Sequence, residues 1–154
     1  MKKRKRGGFI LVSSVAGELA IANMAMYSST KAFLNVFAEA LWNELAKDNI
    51  DVIAPVVGQT ATPSLTDFLN PEARVKFLES TPQNVVRETM WGLGRTVHVW
   101  TGWSTKVQGF LYWLLPHEVL VPTLAYLSQD LFITGEELQK RFEEVGRMGR
   151  QSRN

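Results

Sequence analysis

Tyr27 and Lys31 stand four residues apart in MYSSTKAF (residues 26–33), inside a stretch from Met24 to Lys47 that holds no glycine or proline. On a helix, residues at i and i+4 share a face one turn apart, so the ammonium lies near the phenol. An unperturbed tyrosine titrates near ~10, and a neighbouring cation favours its ionised form. That is the shift a phenol needs to act as a general acid or base at neutral pH. Ser14, thirteen residues earlier, adds a hydroxyl able to hold the oxygen of a carbonyl or an alcohol. The spacing alone recurs by chance, so its weight depends on the elements around it.

Those elements are legible. Phe9 to Val12 (FILV), between Gly7-Gly8 and Ser13-Ser14, reads as a short strand buried on both faces, as in parallel sheets. Phe33, Leu34, Val36, Phe37, Leu41, Trp42 and Leu45 recur at helical spacing, which predicts a helix over 24–47 ended by Asp48-Asn49. Ile50 to Val57 (IDVIAPVV) reads as a second buried strand, with Pro55 predicting that ladder pairing ends there. Strand, long helix and strand make a right-handed parallel crossover, placing the chain in the α/β class. Ser14 then sits at the carboxyl end of a parallel strand, where open α/β sheets bind ligands.

Beyond Gly58, QTATPSLTDFLNPEA reads as a loop and a candidate lid. Ser80-Thr81-Pro82 supplies an N-cap and a proline at the first helical position for a helix ending at Gly94. Thr96 to Trp100 suggests a third strand. The apolar, aromatic run from Trp103 to Leu127 is broken at Pro116 and Pro122, and Gly135 to Arg147 reads as a charged helix. Trp91, Trp100, Trp103, Phe110, Tyr112 and Trp113 are expected in the core rather than on substrate.

Composition narrows the classes of function. The 154 residues carry a net charge of +2, no cysteine and two histidines, so thiolate metal sites are excluded and no metal site is expected. MKKRKR at the start reads as a solvated basic turn rather than a nucleic-acid site, and no nucleic-acid partner is expected. The apolar run after it is too short for a secretory signal or a span. The expected location is cytoplasmic, with peripheral membrane association through the basic start and the apolar tail as an alternative.

GGFILVSSVAG (7–17), YSSTKAFLNVFAEALWNEL (27–45) and IDVIAPVVGQTAT (50–62) together resemble the short-chain dehydrogenase/reductase family, with a looser likeness through TPQNVVRETMWGLGR (81–95). The resemblance implies part of a Rossmann-like doubly wound parallel sheet, its carboxyl-terminal half, with extra helices at the carboxyl end. Residues 1–102 would form that part, and 103–154 a helical extension packing on it or forming a substrate lid. It also implies NAD(P)-dependent interconversion of an alcohol and a carbonyl. Tyr27 would be the acid/base, Lys31 would depress its pKa and hold the nicotinamide ribose, and Ser14 would orient the substrate oxygen. Gly58, Thr60 and Thr62 would lie on the cofactor side, Gly58 matching the glycine of the family's Pro-Gly turn and Thr62 the threonine facing the carboxamide. The proline of that turn is Val57 here, with Pro55 two places earlier.

The family's T-G-x-x-x-G-x-G turn, its Asn-Asn-Ala-Gly motif and its catalytic asparagine are absent. Met1 therefore resembles an internal methionine, and the chain reads as the carboxyl-terminal part of a longer reductase, inactive by itself. A bulky apolar substrate, such as a steroid, retinoid or long-chain carbonyl compound, and a homo-oligomer formed through helix 24–47 are further implications. Residues that choose between NAD and NADP belong to the missing half. Two other readings stay open: a non-catalytic homologue that acts by helix pairing, and a membrane-surface protein.

Overall fold

The computed structural model describes residues 1–18, 21, 24–62 and 76–128. Four parallel strands, β1 (Gly7–Ile10), β2 (Ser13–Ser14), β3 (Ile50–Val57) and β4 (His98–Thr101), form one sheet. Among the described residues four α-helices accompany them: α1 (Ala25–Leu45), α2 (Pro82–Gly92), α3 (Trp103–Leu114) and α4 (His117–Ser128). The predicted α/β class and the strand–helix–strand crossover are present. The charged stretch 135–147 and most of the expected lid lie outside the described residues.

β3 is the central strand. β1 and β2 meet it in one constant register, Gly7 opposite Ile50 and Ser13 opposite Val56, so they are a single strand interrupted at Leu11 and Val12. Pro55 explains the interruption. The Leu11 N–H donates to the Ile53 carbonyl at 2.8 Å, and the next rung of a parallel ladder needs an N–H from residue 55 to Leu11, which proline lacks. The sequence expectation that pairing ends at Pro55 is corrected: pairing resumes at Val56 and Val57. It is also unbroken on the β4 side, where Ala54 donates to Val97 and Pro55 lies opposite Val99.

Ala38 and Leu45 of α1 pack with Ile50, Val52 and Ala54 of β3, joined by Leu11, Leu41 and Val97. The other face of β3 meets α2, whose Gly92 lies against Ile53 and Val99. The predicted cap of α2 is present: Thr81 Oγ1 accepts from the Asn84 N–H at 3.2 Å, with Pro82 in the first turn. Asn49 closes the turn after α1 in the left-handed conformation, φ 53°. Its side chain donates to the Lys5 carbonyl at 3.1 Å, so the basic start is tied to this end of α1.

Two burial expectations, for the first strand and for the aromatic residues, are corrected, and α1 buries a partly polar face. Phe9, Ile10 and Val12 are exposed, because their strand lies at the sheet edge and α1 packs chiefly on β3. On α1, Phe33, Val36, Phe37 and Trp42 face outward while Ser28, Asn35, Ala38 and Leu45 are buried. Trp91, Trp103, Phe110 and Trp113 are likewise exposed, Trp113 at 79%. The reason on α3 is steric: Ser104 donates to the Leu78 carbonyl at 2.7 Å, and Thr105 fills the space beside Gly58. These small polar residues turn the aromatic face of α3 outward. Pro122 falls inside α4 instead of breaking it, forfeiting the hydrogen bond its missing N–H would give to Glu118.

Candidate active site

Tyr27 is the third residue of α1, and Lys31 follows one turn later with its Nζ 5.5 Å from the centre of the Tyr27 ring. The sequence-predicted pair is thus brought together by the helix itself. Tyr27 is 42% exposed and lines an open recess of about 490 Å³ with Met24, Ala25 and Met26. A larger recess, about 610 Å³, lies at β4 between Trp91, Trp100, Arg87 and Lys106, in a different part of the molecule.

Lys31 is held by the strand that carries Ser14. Its Nζ donates to the Val12 carbonyl at 2.9 Å, and its own carbonyl accepts from Ser13 Oγ at 3.1 Å. Ladder parity explains the first contact. Leu11 directs its N–H toward β3, so Val12 directs its carbonyl to the opposite, open side, where a lysine can reach it. The turn at Val15–Gly17 then lies directly on α1: a Cβ on Gly17 would fall 2.7 Å from the Lys31 carbonyl carbon.

Ser14 caps that turn, its Oγ accepting from the Ala16 N–H at 3.2 Å. A hydroxyl that accepts in this way keeps its own proton to donate outward. Ser14 pairs with Val57 across the sheet, so the segment leaving β3 begins beside it. In that segment Thr60 Oγ1 donates to the Gly58 carbonyl at 3.1 Å, and Thr60 bridges to Ser80. Gly58 is required by packing, since Thr105 Oγ1 would lie 2.3 Å from a Cβ there. Thr62 is the last described residue before Lys76. Of the six predicted residues, Ser14 ends β2, Gly58, Thr60 and Thr62 lie in the segment after β3, and Tyr27 and Lys31 lie in the first two turns of α1. Contacts join Lys31 to Tyr27 and to the Ser14 strand.

A second polar group lies between α1, β4 and the Val15–Gly17 turn. Asn35 Nδ2 donates to Glu18 Oε1 at 2.7 Å, and His98 Nε2 lies 2.9 Å from Glu39 Oε1. Burial raises the Glu18 pKa, the nearby His98 partly offsets this, and Glu39 adds to the rise. Sequence reasoning missed this group, because its members are separated by up to 80 residues. It also missed Ser13 and Gly17, although the paired serines and the glycine three places after Ser14 were visible. Among the described residues there is no cluster of three or more metal-ligating side chains.

Comparison with known proteins agrees with this architecture. Residues 1–73 match the family model described as short chain dehydrogenase. Over 105 residues the chain is 36% identical to a 7β-hydroxysteroid dehydrogenase of Mediterraneibacter gnavus, covering 66% of this chain and 40% of that protein. Over 52 residues it is 50% identical to a very-long-chain 3-oxoacyl-CoA reductase of Laccaria bicolor, covering 34% of this chain and 15% of the relative. A solved 7β-hydroxysteroid dehydrogenase structure superposes with a TM-score of 0.70 at 27% identity, over 79% of this chain and 49% of the other. The chain thus spans less than half the length of these relatives.

Proposed function

The chain belongs to the short-chain dehydrogenase/reductase family, and from that premise we propose that it carries the proton-transfer site of an oxidoreductase interconverting an alcohol and a carbonyl. The observation that carries this reading is the Tyr27–Lys31 pair, with Lys31 fixed to the strand that ends in Ser14. Ser14 donates its hydroxyl proton to the substrate oxygen and orients it. Tyr27 gives a proton to that oxygen in reduction and takes it back in oxidation. Lys31 places its ammonium beside the phenol ring, 5.5 Å from its centre.

NAD or NADP, when bound, supplies or accepts the hydride. The fit to such a group is partial. Lys31 and the Gly58–Thr62 segment would hold the nicotinamide and its ribose, but Thr105 already fills the space at Gly58. The sequence holds no glycine-rich phosphate turn for the dinucleotide's other half. We therefore assign turnover to this chain acting with a segment that supplies that turn, and weak cofactor binding to the chain alone. A bulky apolar substrate fits the exposed Met24–Tyr27 recess and the hydroxysteroid and very-long-chain acyl names of the relatives.

Two partner readings have observations of their own. The exposed Phe33 and Phe37 rings on α1 stack at 5.4 Å and favour pairing of α1 with a second copy. The outward Trp103, Val107, Phe110, Trp113 and Leu114 of α3 favour peripheral contact of an otherwise cytoplasmic protein with a bilayer surface. Among the described residues no helix is long and apolar enough to cross a membrane.

The deciding experiment mixes the chain with the amino-terminal portion of the M. gnavus relative and follows NADH and NADPH oxidation with a 7-oxosteroid. Turnover that appears only in the mixture and vanishes with Tyr27→Phe is expected. Turnover that survives Tyr27→Phe would overturn the assignment of the acid/base. Titration of the chain alone with NADH and NADPH, and vesicle flotation, test the cofactor and membrane statements.

A further inference from the structure

Three contacts from one short segment converge on a single residue of α1. Ser13 is 1% exposed, and a buried hydroxyl requires a partner. It takes the Lys31 carbonyl at 3.1 Å, choosing from the helix the residue whose ammonium faces Tyr27. That ammonium returns to Val12, the neighbour of Ser13, at 2.9 Å. Gly17, four residues after Ser13, lets the turn rest on the same peptide unit, with no room for a methyl group. The segment that bears Ser14 therefore contacts both the backbone and the side chain of Lys31.

We propose that Ser13 is a positioning residue. By donating to the Lys31 carbonyl it fixes the height of α1 against the Ser14 strand, and so sets where the Lys31 ammonium and the Tyr27 phenol stand relative to the Ser14 hydroxyl. The helix backbone gains nothing in secondary structure from this bond, because a helical carbonyl already has its i+4 partner. Its consequence is registration. A slide of α1 along the strand would carry Tyr27 and Lys31 together, leaving their mutual spacing intact while moving both away from Ser14. Gly17 limits motion toward the turn, and Ser13 limits motion along the strand.

This inference deepens the site reading above, but its test needs neither cofactor nor turnover, so the two can fail separately. Lysine acetylation by N-hydroxysuccinimide acetate, followed residue by residue by mass spectrometry, reads the Lys31–Val12 contact, with Lys47 and Lys106 as internal standards. In the wild-type chain Lys31 is expected to label several-fold more slowly than the exposed Lys47. Ser13→Ala is expected to raise the Lys31 rate about three-fold or more without changing Lys47 or Lys106, and Ser13→Thr to restore the slow rate. A general loss of structure would raise all three lysines together. If Ser13→Ala does not fold, Ser13→Cys, which keeps nearly the same volume with a weaker donor, takes its place and is expected to show the same selective rise. A folded variant with unchanged Lys31 labelling, or a wild-type Lys31 that labels as fast as Lys47, overturns the proposal.

Discussion

The Lys31 ammonium and the Val12 carbonyl are hydrogen-bonded at 2.9 Å, joining α1 to the open side of the strand that bears Ser14. Lys31 is therefore a structural residue as well as the cation beside Tyr27. Removing it leaves the Val12 carbonyl, at an exposed position, to accept from water instead, so the loss is the net worth of one hydrogen bond. Lys31→Met is expected to lower stability by about 1 kcal/mol, read as a lower urea midpoint with an unchanged m-value. A midpoint equal to wild type would show that the bond contributes nothing. Any activity lost in this variant must be measured at a temperature where it is still folded.

Gly17→Ala tests the closest approach of the turn to α1. The added methyl would meet the Lys31 carbonyl carbon at 2.7 Å and the Ala32 nitrogen at 2.9 Å, and both are helix backbone atoms that cannot rotate aside. Overpacking of this kind costs about 1–3 kcal/mol. Thermal unfolding of the variant should show a clear loss in midpoint; a wild-type midpoint would mean that the turn has freedom to withdraw.

At Gly58 the obstruction is a side chain, and the outcome differs accordingly. Gly58→Ala brings a methyl to 2.3 Å from Oγ1 of the buried Thr105, where the segment leaving β3 meets α3. Combining it with Thr105→Ala removes the clashing hydroxyl, so the double variant should be more stable than Gly58→Ala alone by about 1 kcal/mol. Strictly additive losses in the double-mutant cycle would place the need for glycine elsewhere.

The architecture was readable wherever a local pattern carried it. The Met24–Lys47 periodicity, the Thr81-Pro82 cap and the strand at Ile50–Val57 each depend on neighbours in sequence, and each is present. Tyr27 and Lys31 were legible for the same reason, since one helical turn fixes their spacing. Burial was not legible, because it depends on which elements meet. The aromatic residues of α3 read as core by type, yet Ser104 and Thr105 take the inward positions because of Gly58 and Leu78, some 26 to 47 residues away. Pro55 was read as the end of ladder pairing, but it interrupts only the β1–β2 side, and the sequence does not say which side of β3 its missing N–H faces. The Glu18–Asn35 and Glu39–His98 contacts had no local signal at all.

Asp48 and Lys5 form a close ion pair at the end of α1, with Lys2 a further 4.0 Å neighbour. The Lys5 hydrogen bond holds the Asp48 pKa below its ordinary value, against the opposing effect of burial and with help from the charges of Lys5, Lys2 and Lys47. A depressed carboxylate pKa stabilises the fold above the unfolded-state value, and that contribution is lost as pH falls through the native value. Asp48→Asn should therefore lose stability at pH 7 and converge on wild type in acid. Because Lys2 and Lys5 are exposed, the difference should also shrink in 1 M salt. A gap that is constant with pH would show that the carboxylate charge is not what stabilises this end of the helix.

Glu18 has the opposite sign. Its pKa is raised, chiefly by burial, so the native state holds its proton more tightly than the unfolded chain does. The associated stability is fully present below the unfolded pKa, near ~4.3, and is lost as pH rises through the raised native value. Glu18→Gln keeps an oxygen to accept from Asn35 Nδ2 and removes the titration. Its stability should match or trail wild type near pH 4 and gain on it steadily toward pH 7, because only the wild-type chain must ionise a half-buried carboxyl there. Chemical denaturation at pH 4, 5, 6 and 7 measures the difference directly. His98 lies within the same group, and its charge opposes the rise of the Glu18 pKa. His98→Gln should accordingly enlarge the pH dependence that Glu18→Gln abolishes. If the two variants instead leave the slope of stability against pH unchanged, Glu18 does not titrate in contact with His98.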